Sequence, residues 1–237
     1  MFPLLKKSYT FVLETKKTLI VSIRYFYNMI EKRNTKYLQK VLEFFMQNGI
    51  KSHTMDDISK FLGISKKTLY SFVSSKNDLV NKVMTLTMEN DKQQCISIVE
   101  NEGNAIDKIY AINKKLSEKL QKTQPVVIYD LKNYYPEAWQ ILNAYRSDFI
   151  FLEIKNSLEV GIKEGLFRDI NVDIIARANI SLIYSIFEDK LFPTNKYTFL
   201  EIHEEIVKYH IRGIANEKGL KYINQLLSKN KEISFKN

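Results

Sequence analysis

The sequence predicts an all-α protein, with a small basic helical unit near the front and a larger helical body behind it. Three observations carry that prediction. Seven Gly and four Pro in 237 residues are too few to punctuate many short strands, so long helices are favoured. From Thr35 onwards the apolar residues recur with a helical period. Between Thr54 and Leu86, three short segments each open on a side-chain cap, a pattern that one long amphipathic helix does not produce. A hydrophobic content of 45% is enough to bury a core of this size.

Residues 1–28 alternate apolar residues with lysines and sustain no period, and are expected to form a peripheral N-terminal extension. Met29 opens the regular part, so the true N-terminus is either Met1 or near Met29. Leu38, Val41, Leu42 and Phe45 then line one face of a helix that Asn48-Gly49 stops. Thr54 stands where a helix cap belongs, with Asp57 at the third helical position, and Ile58, Phe61 and Leu62 supply the buried face. Gly63 ends this helix and Ser65 caps the next, whose Leu69 and Phe72 turn inward. Ser75 starts another, with Asp78 at its third position and Leu79, Val83 and Leu86 on the apolar side.

Longer helices are expected over about 77–100, 104–122, 125–133, 136–164, 172–190 and 196–212. Gly103-Asn104, Pro125, Pro136, Gly165 and Pro193-Thr194 fall between them. Asn171 is the expected cap of the helix carrying Ile174, Ile175, Ala178, Leu182 and Phe187. A short final helix around Leu220, Ile223, Leu226 and Leu227 precedes a lysine-rich tail.

The charge is unevenly placed. Residues 31–82 carry ten Lys/Arg against five Asp/Glu, and residues 1–30 carry five against one. The remainder has 21 of each sign, so the whole excess of +9 lies in the first 82 residues. A basic front and a neutral body point to one part facing a polyanion and another part doing something else. A single cysteine, Cys95, excludes an internal disulfide and a zinc cluster, and suits a reducing, cytoplasmic setting. No apolar run reaches the roughly 18 residues of a membrane helix, so no membrane partner is expected.

Thr54 to Val73 has the layout of a helix-turn-helix: a supporting helix, a turn with glycine, and a second helix anchored by Ile64, Leu69 and Phe72. The outward residues of that second helix are Ser65, Lys66, Lys67, Thr68 and Tyr70. Lysines neutralise phosphates or reach guanine acceptors, and hydroxyls bond to phosphate or base edges, so this face suits double-stranded DNA.

The run from Thr54 to Leu79 resembles the TetR family of transcriptional regulators. A helix ending in Asn-Gly is followed by Thr-Met-Asp-Asp-Ile, then Leu-Gly-Ile-Ser-Lys-Lys-Thr-Leu-Tyr, then Phe-Val-Ser-Ser-Lys-Asn-Asp-Leu. The agreement covers about residues 34–82, and Gly-Leu-Phe-Arg-Asp-Ile at 165–170 is similar to a common connection of the family. The resemblance implies a helix-turn-helix DNA-binding domain over 29–82 and a helical ligand-binding and dimerisation domain over 83–237. It implies phosphate contacts from Thr54, Met55, Tyr70 and Lys76, and groove contacts from Lys66, Lys67 and Thr68, with Ser65 beside them on the DNA-binding face. It further implies a homodimer through helices 172–190 and 196–212, with Phe199, Leu200, Ile206, Val207, Tyr209 and Ile211 on the apolar surface of the second. Two recognition helices would then meet half-sites about 34–36 Å apart on a palindromic operator. Tyr129, Tyr134, Trp139, Tyr145 and Phe149 are candidates to line a pocket for a small apolar or aromatic effector. By the same resemblance the protein is a ligand-responsive repressor, and the effector acts by moving the helix over 77–100.

An enzyme is disfavoured. His53, His203 and His210 lack ligand spacing, His203-Glu204-Glu205 lacks the second histidine of a zincin helix, and no phosphate loop or nucleophile elbow occurs. No cofactor is expected. The alternative reading is a non-specific or architectural nucleic-acid-binding helical protein using the same basic front. Selectivity for a palindrome at raised salt separates the two.

Overall fold

The computed structural model describes residues 31–229. The N-terminal extension, the question of the start at Met1 or Met29, and the lysine-rich tail beyond residue 229 lie outside the described residues. Among those described, the only β-type pairing is one isolated bridge, Phe167 to Ala215. Everything else is helix and connection, as the sequence predicts.

The chain runs as α1 (31–48), α2 (Met55–Leu62), α3 (Lys66–Tyr70), α4 (Lys76–Asn101), α5 (Ala105–Lys122), α6 (Pro125–Tyr134) and α7 (Pro136–Ala144). A π-helical turn over Tyr145–Ile150 joins α7 to α8 (Phe151–Lys163), followed by α9 (Val172–Ser185), α10 (Phe199–Ile214) and α11 (Glu217–Lys229). The expected helix over 136–164 is therefore one continuous helical run with a wider turn in its middle.

Local chemistry sets most of these boundaries. Thr54 and Asp57 form a reciprocal capping box, with the Asp57 N–H donating to Thr54 Oγ1 and the Thr54 N–H donating to Asp57 Oδ2. Ser65, Ser75 and Asn171 accept from the backbone of their helices as expected, and Asn104 and Thr198 do the same for α5 and α10. Gly49 and Gly63 end α1 and α2 at φ +79° and +66°, a left-handed conformation that costs an L side chain about 1–2 kcal/mol.

Three apolar clusters hold the elements. The largest joins Val41 and Phe45 of α1, Ile58, Leu69, and Leu79, Val80 and Val83 of α4 to Val127, Leu131, Ala138 and Leu142 of α6 and α7. A second packs α5, α8, α9 and α10 under α11 through Ile106, Leu158, Phe167, Ile211 and Ile223. A third gathers Leu120, Ile128, Ile186, Phe199 and Ile202. The 165–168 connection is sewn to the end of α10, where Arg168 N–H donates to Ile214 O and Asn216 N–H donates to Leu166 O.

Some apolar faces differ from expectation. Phe61 is 48% exposed and lies on the Phe44 ring instead of entering the core, because α2 is short and rotates Ile58, Ser59 and Leu62 inward. On α9 the buried residues are Ala176, Asn179 and Ile180, while Ile174 and Ala178 face outward. Phe199 and Ile211, expected on an outer surface of α10, are buried within the subunit.

His203 on α10 is buried against α5. Asn113 Nδ2 donates to Ile109 O, which turns its Oδ1 toward His203 Nε2 at 3.1 Å, while His203 Nδ1 lies 3.2 Å from the Ser117 hydroxyl. Neutral imidazole with its proton on Nε2 satisfies both contacts. Burial lowers the His203 pKa to about 4, and half-buried His210 shifts the same way. The folded state thus binds fewer protons than the unfolded chain between those values and the ordinary histidine pKa of about 6.5. Stability is complete above about pH 6.5 and is lost as the pH falls toward 4, by up to about 1.4 kcal/mol per pH unit for each histidine. Denaturant titrations across this range should show that slope, reduced in His203→Gln.

Candidate nucleic-acid interface and the cavity behind it

α3 is five residues long and is held from beneath. Leu69 is fully buried, Ile64 and Phe72 pack on the same core, and the Phe72 ring stacks on Tyr37 of α1 at 5.8 Å. The outer face presents exposed Ser65, Lys66, Lys67 and Tyr70, with Thr68 half-buried. The Ser65 and Thr68 hydroxyls lie 2.9 Å apart, and Ser65 Oγ also accepts the Thr68 N–H. Lys66 forms an ion pair with Asp56 of α2. Both partners are about half exposed, so the pair contributes only about 0–1 kcal/mol and is readily exchanged for an external anion. Thr54 is exposed at the start of α2, with its hydroxyl engaged by Asp57, and Met55 is half-buried against the core.

Lys76 is engaged within the protein. Its Nζ donates to the carbonyl oxygens of Lys51 and His53, at 3.1 and 2.5 Å, and stands 5.8 Å from the Tyr135 ring. Partial burial lowers its pKa, with Asp130 opposing the shift. Lys76 clamps the turn between α1 and α2.

Asp130 of α6 holds the same turn from the other side. Its Oδ2 accepts the N–H groups of Ile50 and Lys51, both at 2.8 Å, and the side chain is buried. Lys51 in turn places its ammonium 3.6 Å from the centre of the Tyr134 ring. Asn81 of α4 donates to Glu137 of α7. The helix-turn-helix is therefore fixed to the body by α4 and by this polar seam to α6 and α7.

Behind the seam lies a cavity of about 540 Å³. α4 contributes Met84, Met88 and Cys95, α6 contributes Val127, Ile128 and Leu131, and Leu116, Tyr145, Arg146, Asn179, Ile183 and Phe187 close it. Of the five aromatic candidates only Tyr145 lines it. Tyr129 and Tyr134 stand on the outer surface, where they pack edge to face, because the inner side of α6 is taken by Val127, Ile128 and Leu131. Trp139 packs beside Arg146, and Phe149 stacks on Tyr145 from outside the lining. Burial raises the Cys95 thiol to about 11, so it is a neutral wall residue and not a nucleophile at neutral pH. The residues missed from the sequence are Asp130 and Arg146. Asp130 had one signal, a carboxylate three residues from Val127 and one from Leu131, on the apolar side of its helix. Among the described residues no group of His, Cys, Asp and Glu is arranged to hold a metal, and no helix is long and apolar enough to cross a membrane.

If Asp130 is the clasp, Asp130→Ala strands two N–H groups, one of them buried, and should lower stability by about 1–3 kcal/mol. Asp130→Asn, which can still accept both through one oxygen, should cost less. Urea unfolding of the two variants gives the comparison.

No family model matches the chain. An uncharacterized HTH-type transcriptional regulator of Bacillus subtilis, YvaF, is 28% identical over 186 residues, covering 77% of this chain and 96% of the relative. The HTH-type transcriptional repressor KstR2 of Mycobacterium tuberculosis is 23% identical over 158 residues, 62% of this chain and 76% of its own. A solved TetR-family regulator from Agrobacterium tumefaciens superposes with a TM-score of 0.61 at 14% identity, covering 76% of this chain and 96% of that one. The chain thus pairs a capped helix-turn-helix with the fold of a solved TetR-family regulator, and helix-turn-helix transcriptional regulators are among its sequence relatives.

Proposed function

We propose that this regulator is a ligand-responsive repressor that binds a palindromic operator as a homodimer in the cytoplasm, with α3 in the major groove. The observation that carries the reading is the outer face of α3: Ser65, Lys66, Lys67 and Tyr70 are exposed over a fully buried Leu69. A helix so short has little stability of its own, and its apolar underside and Ser65 cap keep it in one orientation. Thr54, Met55 and Thr68 stand at the margins of that face and serve phosphate or groove contacts. The domain division follows: residues 29–82 read DNA and residues 83–237 bind effector and partner. α4 crosses the boundary, so the two parts share a helix.

A homodimer is supported by the outward sides of α9 and α10. Ile174 is 61% exposed and Tyr209 is 75% exposed, and Ala178 lies on the same outer side of α9 as Ile174. Isolated exposure of this kind is common, but two adjacent helices presenting it together suit a self-complementary two-fold contact. The ligand response is supported by α4, which packs Leu79, Val80 and Val83 into the core under α3 and turns Met84, Met88 and Cys95 into the cavity. A molecule in the cavity that binds one tilt of α4 better than another shifts the population between two spacings of the recognition helices. A purely architectural binder would need neither the cavity nor the shared helix.

Selection of bound sequences from random duplexes should return a two-fold symmetric site that keeps its preference as salt is raised; a featureless selection would favour the architectural reading. On that site, Lys67→Ala should flatten the dependence of log affinity on log salt by about one per subunit if it meets phosphate, or cost about 1–3 kcal/mol of base discrimination if it reads an edge. Lys76→Gln should leave the salt dependence unchanged and lower the melting temperature, because its ammonium serves the α1–α2 turn.

A further inference from the structure

The wall of the cavity holds one group that the described residues do not satisfy. Arg146 is 7% exposed, and its Nη1 is buried with no hydrogen-bond partner among the described residues. Its guanidinium carbon stands 4.6 Å from the ring centre of Phe187, 5.4 Å from Tyr184 and 5.8 Å from Trp139. Aromatic faces partly offset the loss of water around a cation, but they accept none of the in-plane N–H groups. The other charges on the wall lie toward solvent or in a pair: Lys115, Glu118 and Lys122 are exposed, and Asp91 pairs with Lys119. Arg146 sits in the π-helical turn over Tyr145–Ile150, a distortion of a kind that recurs at functional sites and that here interrupts an otherwise continuous helical run. A buried charge with no ionic partner among the described residues is expensive.

We infer that the cavity takes a small amphiphile carrying a single carboxylate, its head on the Arg146 guanidinium and its apolar body among Met84, Met88, Ile128 and Ile183. The inference rests on the reading of this cavity as the effector site. A carboxylate matches the planar fork of arginine and accepts parallel hydrogen bonds from it. One negative charge balances the one deeply buried guanidinium. The volume of about 540 Å³ lies within the range that receives drug-sized molecules, roughly 300–1,000 Å³. A cationic ligand is disfavoured at this end of the cavity, because it would meet the Arg146 guanidinium as a like charge beside Phe187.

The test uses the full chain and matched probes: octanoate, octanol and octyltrimethylammonium, with phenylbutyrate and phenylbutanol as an aromatic pair. Binding is followed by calorimetry and by the fluorescence of Trp139, the chain's only tryptophan, and operator affinity is measured in parallel. The carboxylates should bind at least about tenfold more tightly than the alcohols, with the trimethylammonium weakest. Arg146→Leu and Arg146→Gln should bring acid and alcohol to equal affinity while the alcohol still binds; the Leu variant removes a buried charge and should melt no lower than the parent. Equal affinity of acid and alcohol for the parent, preference for the cation, or no binding by any probe overturns the assignment. Tight carboxylate binding that leaves operator affinity unchanged upholds the assignment and refutes the effector role of the cavity.

Discussion

The structure depends on the two-sided burial of α4. Its first turns, through Leu79, Val80 and Val83, complete the core on which α3 rests. Its middle, through Met84, Met88 and Cys95, walls the cavity. At 1.5 Å per residue its 26 residues span about 39 Å, so a small tilt at the cavity becomes a larger displacement at the DNA-facing end. Neither end can be repacked alone, since a close-packed helix transmits strain instead of absorbing it.

The polar groups follow the same plan. Asp130 and Lys76 close the α1–α2 turn from opposite sides, one receiving backbone N–H groups and the other donating to backbone carbonyls. Both charges act on the peptide backbone, so the orientation of the helix-turn-helix does not rely on a surface ion pair that salt would weaken. The lysines of α3 are the reverse case. Exposed and weakly held, they remain available to a polyanion, and the basic excess of residues 31–82 gives that surface its sign. Arg146 belongs to neither group, being deep in the wall of the cavity.

What was legible in the sequence was what is decided locally. The caps at Thr54, Ser65, Ser75 and Asn171 and the stops at Gly49 and Gly63 depend on residues within one turn, and each stands where the spacing put it. The exposed face of α3 followed from the alternation of Leu69 and Phe72 with the lysines around them. What failed to show was set by contacts distant in the chain. Asp130 meets Ile50 across 80 residues, and Lys76 reaches the backbone of His53, so neither role has a local signature. The aromatic density of residues 129–149 gave no sign of which side turns to the cavity, because that side is fixed by how α6 and α7 lie on α4. Phe61 was misplaced for a related reason: a helix of eight residues buries a narrow stripe, and its neighbour Leu62 occupies it.

The claim on which everything turns is that the outer face of α3 meets DNA and that α4 carries the consequence inward. Hydrogen–deuterium exchange with and without the selected operator addresses it directly. Exchange should slow over residues 63–73 and in the first turns of α4 when operator is added. Slowing confined to α10 and α11, with residues 63–73 unchanged, would contradict the account.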